Sequence, residues 1–349
     1  MDKKFWSEKA KRIKPYVAGE QPKFDDIIKL NTNESPFPPS PKAIEAFYNT
    51  NAADMRLYPD TNAQIVREAA AFADGVKPEN IFVGNGSDDV LAMTFMALFD
   101  GEVKTPDVTY SFYTVWASLL GVDLKEIPLN DDLTIPVEKF FGGSCIIANP
   151  NAPTGLMLSL EDIEKIAANA DGPVVIDEAY VAFGAETAAV LIDKYPNLLV
   201  VRTLSKAHGL AGLRMGYAIG CEDLIGALYA VKDSFNSYPT DRAAQNMAAA
   251  ALYDVEYNKA TVERVCRIRD NTAEELRKMG FSVTDSKTNF LFITHPAISA
   301  ENLMKKLRDK AIIVRRLSNP RTSNYLRMSM GTEEQMERVL TEIRNILEG

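Results

Sequence analysis

The sequence predicts an α/β fold in which a mainly parallel sheet is covered by helices on both faces and joined to a smaller α+β part. Three observations carry this. Short unbroken apolar runs, largely β-branched (Ile81–Val83, Cys145–Ala148, Pro173–Ile176, Leu198–Val201), alternate with helical patterns, as strands buried on both faces do. Each run ends in a polar cluster, and ligands of open parallel sheets bind beyond the carboxyl ends of the strands. After about Asp241 the texture shifts to long amphipathic stretches with short strands, and a chain of 349 residues exceeds what a single core organises.

Taken in order, the chain begins polar and then turns proline-rich from Asn31 to Pro41. Ser40 followed by Pro41 predicts a helix start, since serine caps and proline suits the first helical position. Arg56–Asp60 breaks the pattern, and Thr61 is placed to cap a helix from Asn62 to about Ala73. The strand Ile81–Val83 runs into Gly-Asn-Gly-Ser-Asp-Asp, followed by a helix over Val90–Phe99. Pro106–Tyr113 turns into a helix near Ser118, and the strand Cys145–Ala148 leads into Asn-Pro-Asn-Ala-Pro-Thr-Gly, a rigid turn suited to a cis bond. Ser159 and Asp162 cap a helix with Ile163, Ile166 and Ala167 on one face. Strands at Pro173–Ile176, Leu198–Val201 and Met215–Gly220 follow.

Beyond Asp241 an alanine-rich helix precedes a stretch in which Val262, Val265, Cys266, Ala273, Leu276 and Met279 recur at helical spacing. Short strands are expected at Phe290–Ile293, Ile312–Val314 and Leu326–Ser329. A last helix is opened by the capping box Thr332-x-x-Gln335. The domain boundaries read near residues 45 and 260. They give a large domain over 46–260 and a small one built from 1–45 and 261–349.

A formal charge of −9 argues against a nucleic-acid partner, which wants net positive charge. Three scattered cysteines suit free thiols in a reducing compartment, and two histidines without close Cys spacing argue against zinc. No apolar stretch has the length of a membrane span, and the N-terminus lacks a secretory apolar region, so a cytoplasmic location is expected.

Four polar groups follow apolar strands: Gly84–Asp88, Asn149–Gly155, Asp177–Tyr180 and Ser205–Lys206. Lys206 beside Ser205, eight residues before Arg214, suits imine chemistry with an aldehyde cofactor, the hydroxyl and guanidinium holding a phosphate. A surface lysine is the alternative. Gly86, Ser87 and Asp88 between strand and helix offer backbone N–H groups to a phosphate, or form an ordinary glycine turn. Asp177 needs a partner when buried: a protonated ring nitrogen or, as the alternative, a buried cap or an ion pair with an arginine. Tyr180 is placed to reach a phenolate oxygen on such a ring, and Tyr110 either stacks on it or packs in the core. Arg327 in Tyr-Leu-Arg-Met-Ser-Met-Gly suits a carboxylate or phosphate, or a structural ion pair.

Together these residues resemble the pyridoxal-phosphate-dependent aminotransferases of fold type I, and most closely the histidinol-phosphate aminotransferase family. The resemblance spans nearly the whole chain: Lys14–Gly19, Asn33–Pro36, Arg56–Asp60, Gly84–Asp88, Asn149–Gly155, Asp177–Tyr180, Thr203–Tyr217, Thr288–Phe290 and Leu326–Thr332. It implies a large domain with a seven-stranded sheet, a small α+β domain from both termini, and pyridoxal 5′-phosphate as cofactor.

It further implies that Lys206 carries the cofactor's aldehyde carbon and shuttles a proton. Asp177 would keep the pyridine nitrogen protonated, with Tyr180 on the ring oxygen and Tyr110 on the ring face. Ser87 and Asp88, through backbone amides, with Ser205 and Arg214 would hold the phosphate, and Gly86 and Thr203 would also line the cofactor. Tyr58 would come from the neighbouring subunit of a homodimer, and Tyr16, Asn33, Arg315 and Arg327 would meet the substrate. Ala152 stands where related enzymes often carry Asn, so the ring-oxygen contact is expected to pass to Asn151. His208 is expected to pack rather than to catalyse.

The activity implied is amino transfer between glutamate and imidazole-acetol phosphate. An aromatic amino acid transaminase or a threonine-phosphate decarboxylase is the alternative within the fold. From another class, a non-catalytic phosphate-binding module is disfavoured because Gly84–Asp88 lacks a P-loop lysine and a third fingerprint glycine.

Overall fold

The computed structural model describes residues 3–13, 15, 19–21, 26–317 and 319–349. In chain order, α1 (Glu8–Arg12), β1 (Ile28–Lys29), α2 (Pro41–Tyr48) and α3 (Gln64–Asp74) precede β2 (Ile81–Gly84). Next come α4 (Ser87–Leu98), β3 (Glu102–Pro106), α5 (Phe112–Leu120), β4 (Asp123–Ile127) and β5 (Ser144–Ala148). These lead to α6 (Leu160–Ala168), β6 (Val174–Asp177), β7 (Leu198–Thr203), β8 (Gly216–Gly220), α7 (Glu222–Phe235) and α8 (Arg242–Tyr253). The C-terminal part holds α9 (Val255–Lys278), β9 (Ser282–Val283), β10 (Phe290–Thr294) and α10 (Ala300–Arg308). It ends with β11 (Ile312–Ile313), β12 (Arg315–Arg316), β13 (Leu326–Ser329) and α11 (Glu333–Glu348).

The main sheet has seven strands in the order β2-β8-β7-β6-β5-β3-β4, and β8 alone runs against its neighbours. Side-chain alternation divides its residues between two cores. Ile147, Ile176, Val200 and Ile219 face the helices α3, α6 and α8, while Ile146, Val175, Leu199 and Ala218 face α4, α5 and α7. Both faces are apolar, which is why the strands read as continuous hydrophobic runs.

Two strands escaped that pattern. Glu102–Pro106 and Asp123–Ile127 carry Glu, Lys and Asp because β4 is the exposed edge of the sheet, where a Lys125–Glu102 pair joins the two strands at 3.1 Å.

The predicted caps at Ser40, Ser159 and Thr332 form as expected, each side chain accepting from the backbone N–H three residues on. Thr61 does not cap α3. Its hydroxyl donates instead to the Ser237 carbonyl, and α3 begins after Ala63, whose φ is +51°. The helix expected from Val90 starts three residues earlier, at Ser87.

The small sheet is antiparallel, in the order β12-β13-β10-β9, and packs under the stripes of α9, α10 and α11. The strand expected over Ile312–Val314 divides. Ile312–Ile313 pairs in parallel with Ile28–Lys29, and Arg315–Arg316 joins β13. Among the described residues no helix is long and apolar enough to cross a membrane.

Candidate active site

The register of the sheet gathers the expected groups along one edge. Ala148 lies beside Asp177, Asp177 beside Val201, Thr203 beside Gly216, and Gly216 beside Gly84. The antiparallel β8 makes this possible, because it closes the gap between β7 and β2 and returns Arg214 to the start of α4. Gly216 has to lack a side chain, since a Cβ there would sit 2.5 Å from the Ser87 nitrogen. Gly86 has a φ of +84°, and a Cβ on it would lie 2.7 Å from Nη2 of Arg214.

A cavity of about 250 Å³ opens above this edge, with Ser87, Asp88, Ser205 and Arg214 at one part of its wall and Asp177, Tyr180 and Lys206 at others. No side chain caps the twelve-residue helix α4, so its first N–H groups point their positive end at this wall. Arg214 donates to Asp88 Oδ2 at 3.2 Å and to the Ala211 carbonyl at 3.2 Å. Tyr110 lines the cavity and its hydroxyl donates to Asp88 Oδ1 at 2.9 Å.

Asp177 is 5 % exposed at the end of β6. Burial pushes its carboxyl up to about 6, opposed by hydrogen bonds from the Tyr113 hydroxyl at 2.7 Å and the Ala179 nitrogen at 3.2 Å. Among the described residues no arginine pairs with it. Arg202 instead forms ion pairs behind the sheet end with Asp74 at 3.0 Å and Glu178 at 3.1 Å. Lys206 Nζ donates to the Thr32 carbonyl at 3.2 Å and lies 5.9 Å from the Tyr180 ring centre.

A second cavity of about 690 Å³ adjoins the first, with Thr32, Tyr110, Ala152, Tyr180 and Lys206 common to both. Arg315 and Arg327 line it from directly opposed positions on β12 and β13. The two guanidinium groups give this wall positive charge and several N–H donors, which suits a carboxylate or phosphate. Arg327 also donates to the Asn31 carbonyl at 2.9 Å. A clasp between the two sheets' domains borders this cavity. Arg321 donates to both oxygens of Asp107 at 3.1 and 2.8 Å, and Asn319 to the Asp107 carbonyl at 3.0 Å.

Several expected residues lie elsewhere. Asn151 lines neither cavity. Its amide donates to the Val108 carbonyl at 2.9 Å and to the Thr154 hydroxyl at 3.1 Å, so its N–H groups are engaged within the protein. The turn it stiffens holds cis peptides at Asn149-Pro150 and Ala152-Pro153. Asn33 borders the second cavity but is 1 % exposed, its amide turned to Tyr180. Tyr58 is 78 % exposed, stacked on Tyr238 at 4.6 Å, and lines neither cavity of its own chain. Tyr16 lies outside the described residues. His208 also lines neither cavity, and burial pushes its imidazole down to about 4, which keeps it neutral.

Sequence reading missed Tyr113 and the carbonyl of Thr32. Tyr113 follows Tyr110 by three residues across the start of α5, a spacing that puts both rings on one side; they meet edge-on at 5.5 Å. A backbone carbonyl has no sequence signal.

The arrangement has the parts pyridoxal phosphate requires: an amine, a buried carboxylate, an aromatic face, and a helix N-terminus with an arginine. The donor set fits the group. In comparisons with known proteins, the model of the family described as aminotransferase class I and II matches residues 25–343. The histidinol-phosphate aminotransferase of Acinetobacter baylyi is 49% identical over 349 residues, covering 98% of this chain and 97% of that protein. That of Clostridium botulinum strain Langeland is 46% identical, covering 99% of each. Among solved structures, the histidinol-phosphate aminotransferase of Sinorhizobium meliloti in complex with pyridoxal-5′-phosphate superposes with a TM-score of 0.83 at 24% identity. It covers 92% of this chain and 90% of that one.

Proposed function

The chain belongs to the class I and II aminotransferases, and from that premise we propose that it is a histidinol-phosphate aminotransferase. It would convert imidazole-acetol phosphate and L-glutamate to L-histidinol phosphate and 2-oxoglutarate. The observation that carries this reading is full-length identity near one half to histidinol-phosphate aminotransferases. The paired Arg315 and Arg327 on the cavity next to Lys206 support it, because both proposed substrates are anions.

Pyridoxal phosphate, when bound, supplies an aldehyde that condenses with amines and a ring that draws electrons away from the substrate Cα. Lys206 Nζ would hold the aldehyde end of the group and would serve as the base that carries a proton at the substrate Cα. Asp177 would hold the ring nitrogen and keep it protonated. Ser87, Asp88, Thr203, Ser205 and Arg214, with Gly86 giving close approach, hold the phosphate. Tyr110 covers one ring face, and Tyr180 donates to the ring oxygen. Arg327, with Arg315, grips the carboxylate of glutamate or the phosphate of the other substrate. Because one site serves both half-reactions in turn, ping-pong kinetics follow.

The proposed assembly is a homodimer in which Tyr58 reaches the neighbour's phosphate. Tyr48, Leu57, Tyr58 and Phe72, close in sequence, are each exposed, which supports an apolar contact surface in this part of the chain. The domain division at about residues 45 and 260 follows the two sheets. One departure is that α2 starts at Pro41 and its Ala43 packs in the core of the large sheet with α8. A cytoplasmic location fits the three free cysteines.

The test is a substrate panel on purified protein with histidinol phosphate, phenylalanine and threonine phosphate. Turnover of histidinol phosphate with 2-oxoglutarate is expected. Preference for phenylalanine would make it an aromatic transaminase, and release of carbon dioxide from threonine phosphate a decarboxylase. Absence of a visible absorption band bleached by borohydride would leave only a phosphate-binding module.

A further inference from the structure

We infer that Asn33 is a positioning residue for Tyr180, fixing the direction in which the phenol donates its proton, rather than a substrate contact. The inference rests on the reading of the first cavity as a pyridoxal-phosphate site and concerns how this chain serves the ring oxygen there.

Three observations lead to it. The wall that meets Tyr180 carries a methyl group at Ala152, which offers no hydrogen bond, and the neighbouring Asn151 amide is already held by Val108 and Thr154. Tyr180 is therefore the polar group on that wall able to donate toward the cavity. A phenol donates one proton, and where it goes depends on what else its oxygen meets. Asn33 Nδ2 donates to the Tyr180 oxygen at 2.8 Å, so the phenol is the acceptor in that bond and its own proton is free for an acceptor in the cavity.

The orientation of the Asn33 amide follows from its other partner. The backbone nitrogen of Asn33 donates to Ser329 Oγ at 2.9 Å, and Ser329 is buried, so its hydroxyl proton needs an acceptor within the protein. That acceptor is Asn33 Oδ1, at 3.0 Å. A reversed amide would leave the serine proton without one, so Oδ1 faces Ser329 and Nδ2 faces Tyr180.

The backbone around this relay is also fixed. Asn33 takes a φ of +57°, a conformation asparagine tolerates better than most residues, and Asn289 Nδ2 donates to its carbonyl at 3.0 Å. Ser329 N donates to the Leu30 carbonyl at 3.0 Å, tying β13 to the same segment. The relay thus runs from the small-domain strand β13 through Asn33 to the large-domain tyrosine. The titratable groups around Tyr180 are Lys206, 5.9 Å from its ring centre, the Tyr113 phenol, which interacts with it electrostatically, and Asp177, Glu34, Asp88 and Tyr110 on the same cavity. Arg327 lies over Phe290, whose ring meets Tyr180 edge-on at 5.2 Å.

The experiment uses holoenzyme reconstituted with pyridoxal phosphate and no substrate, which separates positioning from substrate contact. The pH dependence of the visible band and the cofactor Kd are measured for wild type, Asn33→Asp, Asn33→Ala and Ser329→Ala. A donor to the ring oxygen stabilises its negative charge and so weakens the hold on the proton shared with the lysine nitrogen. A carboxylate at position 33 draws the phenol proton away, so Asn33→Asp should move the spectral midpoint upward by about one pH unit. Loss of one oriented hydrogen bond should weaken cofactor binding about tenfold in Asn33→Ala. Ser329→Ala, which removes only the anchor of the amide, should move both readouts in the same direction and serves if the Asn33 variants do not fold. Adding Ala152→Asn to Asn33→Ala should restore part of the lost affinity by supplying a second donor.

The inference is overturned if the variants keep the wild-type midpoint and cofactor Kd, whether or not KM for glutamate or histidinol phosphate rises. A wild-type protein with no visible band would overturn the cofactor reading itself, a different failure.

Discussion

Asp177 shows how a single buried carboxyl trades stability for chemistry. Its folded pKa, about 6, lies above the ordinary aspartate value because burial disfavours the charge. An acid whose pKa rises on folding binds more protons in the native state between about pH 4 and 6, so its contribution to stability falls as pH rises through that window. In cofactor-free protein Asp177→Asn should be about as stable as wild type near pH 4 and more stable near pH 7, by up to ~3 kcal/mol. Paired chemical denaturations at the two pH values check this, and an equal effect at both would refute it. In holoenzyme the same substitution should lower turnover by several orders of magnitude while cofactor stays bound. His208 contributes with the opposite sign, since its depressed pKa, about 4, costs stability as pH falls below the ordinary histidine value. The sequence made Asp177 legible through the apolar strand before it. Its donor Tyr113 and the Asn33–Tyr180 bond were hidden, because neither partner is near the other in the chain.

At the scale of elements, strand–loop–helix junctions were the readable part. Apolar runs buried on both faces declare themselves, and Ser40, Ser159 and Thr332 carry local capping signals that no tertiary contact overrides. The edge strand β4 and its neighbour β3 were not readable, since residues at and next to an exposed edge keep charges and lose the pattern. Thr61 misled because a tertiary partner, the Ser237 carbonyl, took its hydroxyl from the helix end. The closest junction is the approach of β8 to the start of α4, where Gly216 faces Ser87 nitrogen with no room for a methyl. Gly216→Ala should push α4 off the phosphate wall, weakening cofactor binding at least about tenfold and destabilising the fold by about 1–3 kcal/mol. Cofactor titration and thermal unfolding measure the two effects; unchanged affinity would contradict the placement of the phosphate at this junction.

Across the whole molecule, the proposed dimer gives a complementation test. Tyr58 does not line its own chain's cavities, so a Tyr58→Phe subunit should weaken the partner's site and not its own. Mixing Tyr58→Phe with Lys206→Ala subunits should leave one intact lysine site served by an intact tyrosine in each hybrid. Activity should rise above that of either parent, and no recovery after confirmed exchange would argue against sharing. The Arg321–Asp107 clasp acts at the same scale. It joins the domains beside the second cavity, and Arg321→Ala should raise KM for glutamate several-fold with less effect on cofactor binding, read from initial rates.

The pairing of β1 with β11 ties residues near one terminus to residues near the other. The Ile28 nitrogen donates to the Ala311 carbonyl at 2.9 Å, and the Leu30 nitrogen to the Ile313 carbonyl at 2.7 Å. Just beyond this pairing lie the Thr32 carbonyl that receives Lys206 and the Asn33 side chain that holds Tyr180. During synthesis on a ribosome, the first of these segments therefore emerges long before its mate exists. The nascent polypeptide can build the seven-stranded sheet while the candidate site stays open on one side, closed only once Ile312 and Ile313 have emerged to pair with Ile28 and Lys29.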